Sequence, residues 1–151
     1  RGVNGAGRAL AAARRRLLER LFGRLFGRAG AYALMYHRVA DAPVDPWGLA
    51  VRPDRFAQQL AALRARRRPV RFAELAAARV AGAVPRDVVA VTFDDGYLDN
   101  LRAAKPLLEH YEVPATVFLA TGYAGRGRVF WWDELQRLVL GPHPLPSVLP
   151  L

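Results

Sequence analysis

The sequence predicts a parallel α/β architecture. Three observations carry that expectation. Short apolar runs, rich in β-branched residues around 88–93, occur at 31–36, 88–93 and 113–120, and each reads as a buried strand. Segments with helical spacing of apolar residues separate these runs, and strands that alternate with helices build parallel sheets. The central run, Val88 to Phe93, stops abruptly at Asp94-Asp95-Gly96-Tyr97, which sets charge at the end of a buried strand.

Taken in order, residues 1–30 form a basic amphipathic helical arm, with a helix expected from about Ala9 to Phe26. Leu10, Leu17, Leu18, Leu21, Phe22 and Leu25 share one broad face, and arginines occupy the rest. Eight arginines against Glu19 give this arm +7 of the net +10, so the basic balance belongs to the arm and not to the domain. Such a helix suits an anionic membrane surface, met through residues 8–28. The plainer reading is a helix that docks on the domain or a frayed leader. No aromatic platform or nucleic-acid module accompanies the arginines, so nucleic acid is not expected as a partner.

Ala31 to Tyr36 is the first buried strand, and it runs into His37. A histidine at the C-terminal end of a strand stands where α/β barrels place ligand-contacting groups, although a lone histidine is more often structural. Asp41 to Gly48, with Pro43, Pro46 and Trp47, is a loop. Pro53 starts a helix to about Arg66, with Phe56, Leu60 and Leu63 inward. The arginines at its end suit the helix dipole, and Arg66-Arg67-Arg68 reads as a solvated face. Val70-Arg71-Phe72 is a short extended link. A second helix, Phe72 to Val80, carries Leu75 and Val80; Gly82 and Pro85 end it.

After the central strand, Tyr97 to Tyr111 forms a helix with Leu101, Leu107 and Leu108 inward, and Asp99 or Asn100 caps its start. Val113 to Ala120 is the third buried strand. Thr121 to Tyr123 turns, Gly125 to Gly127 is a flexible loop, and Phe130 opens a helix to Leu140. The tail 141–151 is proline-rich and offers no closing element. Three parallel strands are too few to close a sheet covered on both faces, so the pattern reads as the first half of something larger.

Composition narrows the class. A chain of 151 residues, half of them hydrophobic, fits one globular domain with a real core. The absence of cysteine excludes disulfides and Cys-ligated metals. No apolar stretch approaches the ~20 residues of a membrane span, and no apolar signal-peptide core is visible.

The chemistry concentrates at Asp94-Asp95. Adjacent carboxylates repel, and neither can be buried without a compensating partner. A divalent cation bound by one aspartate, with the other free as a base, is the economical arrangement. Gly96 lets the backbone turn sharply there. An ordinary Asp-Gly turn accounts for the same residues without chemistry.

Four elements together carry a resemblance: Leu34-Met35-Tyr36-His37-Arg38-Val39, Thr92-Phe93-Asp94-Asp95-Gly96-Tyr97, Pro114-Ala115-Thr116-Val117-Phe118-Leu119 and Phe130-Trp131-Trp132-Asp133. In order and spacing the chain resembles the polysaccharide deacetylases, the NodB-homology enzymes of carbohydrate esterase family 4. The first element is similar to the branch that includes biofilm poly-N-acetylglucosamine deacetylases. The resemblance implies a distorted (β/α) barrel of the NodB type, with residues 31–151 as its truncated N-terminal part. It implies a hydrolase that removes N-acetyl groups from an amino-sugar polysaccharide, a carbon–nitrogen, non-peptide bond. By the same resemblance Asp94 is the general base and Asp95 a ligand of a divalent metal, usually zinc. His37, Tyr97 and Trp132 would contact the substrate, an N-acetylated polysaccharide. The family often works at the cell envelope, while a cytoplasmic location stays open.

One departure matters. The family's H-S/T-x-x-H motif, which supplies two histidine ligands, is absent. The histidines here are His37, His110, expected at a helix surface, and His143, with no second histidine four residues on. The later arginine and histidine–acid motifs are missing too. Truncation at Leu151 explains this, and the chain alone is then expected to be inactive and marginally stable, because half a barrel exposes a sheet edge. Two readings from other classes stand beside the enzyme: a non-catalytic carbohydrate-binding remnant that uses the aromatics without metal, and a membrane-surface protein acting through the arm. A phosphotransferase using the paired aspartates fits less well, since its nucleophile motif wants a residue between the acids.

Overall fold

The computed structural model describes residues 30–142. The expected arm helix and the tail from His143 lie outside the described residues. The elements are β1 (Ala31–Tyr36), β2 (Arg38–Val39), β3 (Ala50–Val51), α1 (Pro53–Arg66), β4 (Arg68–Pro69), α2 (Phe72–Val80), β5 (Val88–Phe93), α3 (Lys105–His110), β6 (Ala115–Val117) and α4 (Trp131–Leu140).

All six residues of β5 are buried, which only a strand covered on both faces allows. Period two decides what covers each face. Val91 and Phe93 pack with Phe56 and Leu60 of α1, with Val39, Ala104 and Val113. Val88 and Ala90 pack with Val70, Phe72 and Leu75 from the α2 side. Phe56, Leu60 and Phe93 are almost completely buried, each worth about 1.5–3 kcal/mol relative to exposure. Tyr36 caps this core toward the strand ends: its ring stacks 5.5 Å from Phe93 and meets the edge of Phe56 at 5.2 Å.

β5 is paired on both edges, always in parallel. β1 runs beside it for its whole length, from Ala31↔Val88 to Tyr36↔Phe93. β4 and β6 divide the other edge between them. The carbonyls of Asp87 and Val89 accept from the amides of Arg68 and Val70, and that of Phe93 accepts from Phe118. Residues 87, 89 and 93 differ by even steps, so these carbonyls point the same way. β2 and β3 form a separate two-stranded parallel pair. The expected parallel α/β class is therefore observed, and Ala31–Tyr36, Pro53–Arg66 and Phe72–Val80 match their expected spans, but β1 is not the buried strand expected: Ala33 and Met35 are exposed, Met35 at 64%.

Several expectations need correction. The third strand is three residues long and not buried: Ala115 and Val117 are exposed, as are Phe118 and Leu119 beyond it. It meets β5 on one edge, and no described element covers its open face. Leu101 is 61% exposed and does not face inward as expected, and Val80, at the end of α2, is 91% exposed. Arg66-Arg67-Arg68 is not uniformly solvated. Arg67 pairs with Asp87 at 3.1 Å and lies 4.7 Å over the Tyr32 ring, with its side chain 14% exposed. Arg68 opens β4, a strand that the sequence pattern did not separate from the link after it.

The helix expected from Tyr97 to Tyr111 is broken in register. Asn100–Ala104 is a π-helical turn, closed by a bond from the Lys105 amide to the Asn100 carbonyl, and α3 follows. Pro106 explains the widening. It has no N–H for an α-helical bond, and its ring crowds the carbonyl four residues back. Asp99 does not cap the helix either; its carboxylate is engaged elsewhere.

Candidate functional site

Parallel pairing gives the sheet two unlike ends, and the predicted site residues gather at the end where the strands stop. β5 delivers Asp94 there. The Asp94 amide donates to the Tyr36 carbonyl at 2.9 Å, which extends the β1–β5 pairing by one step and sets His37 and Asp94 side by side along the rim. Asp95 and Gly96 then reverse the chain, both with positive φ, 68° and 80°. Asp95 holds this conformation without glycine's freedom, a strained setting for an aspartate. The turn is pinned from both sides: Gly96 N–H donates to the Asp94 carbonyl at 2.8 Å, and Ala120 N–H donates to the Asp95 carbonyl at 3.2 Å. Asp94 and Asp95 are both half-buried. Among the described residues neither carboxylate takes a side-chain hydrogen bond or ion pair, so both are free to meet a ligand.

Tyr97 and Trp132, distant in sequence, are joined. The Trp132 indole N–H donates to the Tyr97 hydroxyl at 2.7 Å, and that hydroxyl donates to Asp133 at 3.1 Å. Trp132 also stacks on Phe130 at 4.7 Å and 7° between planes, while Phe130 lies 4.9 Å from Tyr97 and 4.7 Å from Tyr123. This aromatic group fastens the start of α4 to the rim. Burial, reinforced by the acceptor Asp133, pushes the Tyr97 phenol up to about 12, against the opposing pull of the Trp132 donor and Arg38. Trp131, next in line, is 62% exposed.

Sequence reasoning missed a polar hub behind this wall. Asp99 accepts from Arg38 Nε at 3.0 Å and from the Val39 amide at 3.1 Å. With its amide nitrogen turned toward its acceptors, Asn100 donates to Asp99 at 3.1 Å and to the His37 carbonyl at 3.0 Å. The Arg38 guanidinium also covers the Tyr97 ring, 4.7 Å from its centroid. The hub ties β2, the π turn and Tyr97 together, and it fixes the backbone of His37. The one sequence signal was an acidic residue beside an asparagine at a helix start, which reads first as a cap.

An open, mostly apolar groove of about 740 Å³ lies next to the rim, lined by Phe93, Gly96, Leu98, Leu101, Leu108 and Leu119 among others. Neither Asp94 nor Asp95 lines it, so it is a separate feature from the carboxylate pair.

A zinc site asks for more donors than this rim offers. Catalytic zinc takes three protein ligands, and among the described residues no group of three His, Cys, Asp or Glu side chains could hold a metal. Asp94 and Asp95 supply two carboxylates at most. The described residues therefore do not fit a complete zinc centre, and further ligands would have to come from outside them.

Comparison with known proteins follows the same line as the geometry. The family model described as polysaccharide deacetylase matches residues 81–147, which include Asp94, Asp95, Tyr97 and Trp132. Among solved structures, IcaB from Ammonifex degensii is 32% identical with a TM-score of 0.55, over 75% of this chain and 49% of that one. The Streptococcus pyogenes deacetylase PplD, in complex with acetate, is 28% identical with a TM-score of 0.56, over 71% and 50%. A de-N-acetylase from Aggregatibacter actinomycetemcomitans, 20% identical at a TM-score of 0.54 over 72% and 50%, is similar in fold. No curated protein matches the chain. The chain spans about half the length of the solved structures it matches.

Proposed function

The chain belongs to the polysaccharide deacetylases of the NodB type, and from that premise we propose that the protein hydrolyses N-acetyl groups on an amino-sugar polysaccharide. One observation carries the reading: two adjacent, half-buried carboxylates without side-chain partners among the described residues stand at the end of a fully buried strand, inside the segment that matches the family. In the reaction, water adds to the acetamide carbonyl, the carbon–nitrogen bond breaks, and acetate and a free amine leave. Asp94 takes the proton from the attacking water; a carboxylate free of ion pairs can do so. Asp95 is proposed as one ligand of a divalent metal, zinc first, that would supply Lewis-acid chemistry together with donors beyond the described residues. His37 lies beside Asp94 and is proposed to border the substrate, with Tyr97 and Trp132 forming the adjoining wall. The parallel strands β1, β5 and β6 are read as neighbours in a distorted (β/α) barrel. Action at the cell envelope is the location the family resemblance favours.

The test is acetate release from N-acetylated glucosamine polymers by the intact gene product. Asp94→Asn should abolish turnover while bound metal and folding stay unchanged; full activity in that variant removes Asp94 as the base. Asp95→Asn should lower bound metal, and unchanged metal content removes it as a ligand. For the 151-residue chain by itself, little or no turnover is expected.

The exposed Trp131 beside the Trp132–Phe130 stack favours a second reading, a carbohydrate-binding module without catalysis. Glycan binding that a chelator leaves untouched, with no acetate released by the intact gene product, selects it.

A further inference from the structure

We infer, on the deacetylase reading of the site, that Asn100 is a positioning residue for the reaction: through the backbone carbonyl of His37 it holds the His37 imidazole at the substrate border beside Asp94.

Residue 37 sits where the chain changes sheets. β1 pairs with β5 up to Tyr36↔Phe93, and β2 pairs with β3 from Arg38↔Ala50. His37 belongs to neither ladder, so its carbonyl finds no strand partner. Backbone carbonyls within a fold need a donor from somewhere. Asn100, only 7% exposed, supplies one at 3.0 Å, and its amide also donates to Asp99 at 3.1 Å. Both neighbours are acceptors, so only the two-donor nitrogen of the side chain suits the position.

The residues on either side are fixed as well. The Tyr36 carbonyl accepts from Asp94 at 2.9 Å, the Arg38 amide donates to Leu49 at 3.3 Å, and the Val39 amide donates to Asp99 at 3.1 Å. Asn100 closes the step between them. A residue has two soft backbone dihedrals, and anchors before, at and after residue 37 restrict both. The direction in which His37 leaves the backbone is restricted with them. The π turn begins at Asn100, and turns of this kind recur at functional sites. Here it sets Asp99 and Asn100, neighbours in sequence, against the single segment His37 to Val39.

The ring is left unused by the fold. Among the described residues the His37 imidazole makes no hydrogen bond, ion pair or ring contact. A histidine kept for structure would engage its ring nitrogens. This one has a fixed backbone and a free, half-buried ring on the same rim as Asp94. That combination suits a substrate contact, because a group held in place beforehand need not be ordered when the ligand arrives.

The test is a double-mutant cycle on acetate release from N-acetylglucosamine oligomers by the intact gene product. Asn100→Ala should lower kcat/KM by about tenfold, within the ~100-fold that a misplacement of about 1 Å can cost. In the His37→Ala background the same change should cost little more, because the side chain it positions is gone. Equal losses in both backgrounds, or no loss in the wild-type background, overturn the positioning role. A second measurement needs neither turnover nor a variant that folds. In the wild-type protein a scalar coupling across the hydrogen bond should join the Asn100 side-chain nitrogen to the His37 carbonyl carbon; a missing coupling overturns the contact and the role with it. In folded Asn100→Ala the His37 ring resonances should shift while those of His110 stay, and an unmoved His37 ring overturns the role too. If the wild type releases no acetate, the deacetylase reading falls, and the coupling and the His37 resonances decide by themselves whether Asn100 positions the ring.

Discussion

The indole N–H of Trp132 donates to the hydroxyl of Tyr97 at 2.7 Å across 35 positions of sequence. Tyr97 follows the aspartate pair directly, and Trp132 opens α4, so this one bond fastens a helix to the rim. Asp133 completes it by accepting from the same hydroxyl at 3.1 Å. Tyr97→Phe removes the hydroxyl and strands both partners. The indole and the carboxylate are only partly buried and can turn to water, which limits the cost to about 1–2 kcal/mol. Urea unfolding of the variant, read against Trp132→Phe and the double variant, should show the two single changes to be non-additive. Additive losses would mean that the bond does not couple the helix to the rim.

The same hydroxyl sets a pH limit. Burial first, then the Asp133 acceptor, raise Tyr97 to about 12, against about 10 for an unperturbed tyrosine. A raised folded-state value means that the neutral phenol stabilises the fold. That contribution is complete below pH ~10 and is lost as the pH climbs toward 12. Ultraviolet titration of the phenols should show late ionisation near the onset of alkaline unfolding, from Tyr97 and from Tyr36, whose phenol burial also raises. The Tyr97→Phe protein should lose the Tyr97 part of that late step and keep the Tyr36 part.

Gly96 tests the turn. A Cβ built there would collide with Leu119 Cδ2, on a backbone with φ of +80°. The contact alone is inexpensive, because Leu119 is exposed and its tip can swing aside. The dihedral is not negotiable, since an L side chain resists positive φ. Gly96→Ala should therefore cost about 1–2 kcal/mol, and pairing it with Leu119→Ala should recover little. Full recovery would show that the clash, and not φ, is what glycine avoids. Thermal unfolding of the two variants decides between them.

The strands were legible where a residue's environment is set by its own neighbours. Val88 to Phe93 reads as buried because nothing polar interrupts it, and the structure buries every one of its residues. Pro53 and Phe72 begin helices where their sequence signals place them. The misreadings share a different cause. Val113 to Ala120 has strand composition, but burial depends on what covers it, and sequence does not record that: Phe118 and Leu119 remain exposed. Arg67 looked like one of three solvated arginines, yet Asp87 and Tyr32, distant in sequence, enclose it. At the site, adjacency in sequence made Asp94 and Asp95 readable at once. The hub of Arg38, Asp99 and Asn100 was not, because its members meet only after β1 and β5 pair and the π turn presents Asp99 to β2.

That hub carries the last prediction. Asp99 faces two donors, Arg38 Nε at 3.0 Å and the Val39 amide at 3.1 Å, and its side chain is 16% exposed. Arg38 is about one-third exposed, which lies between a screened surface pair and a buried one. Geometry tips the balance. The guanidinium is held on its other side by the Tyr97 ring at 4.7 Å, so it need not be ordered anew to meet Asp99. A charge-assisted bond between preordered groups should couple measurably, by about 1–2 kcal/mol. Asp99→Asn turns an amide donor toward Arg38 or Val39 whichever way it is set, so it should destabilise more than Arg38→Met, which leaves the Val39 bond intact. A double-mutant cycle on these two positions, followed by urea unfolding, measures the coupling directly. A coupling energy near zero would assign the pair to solvent screening and leave the Val39 bond as the part of Asp99 that holds β2 to the helix.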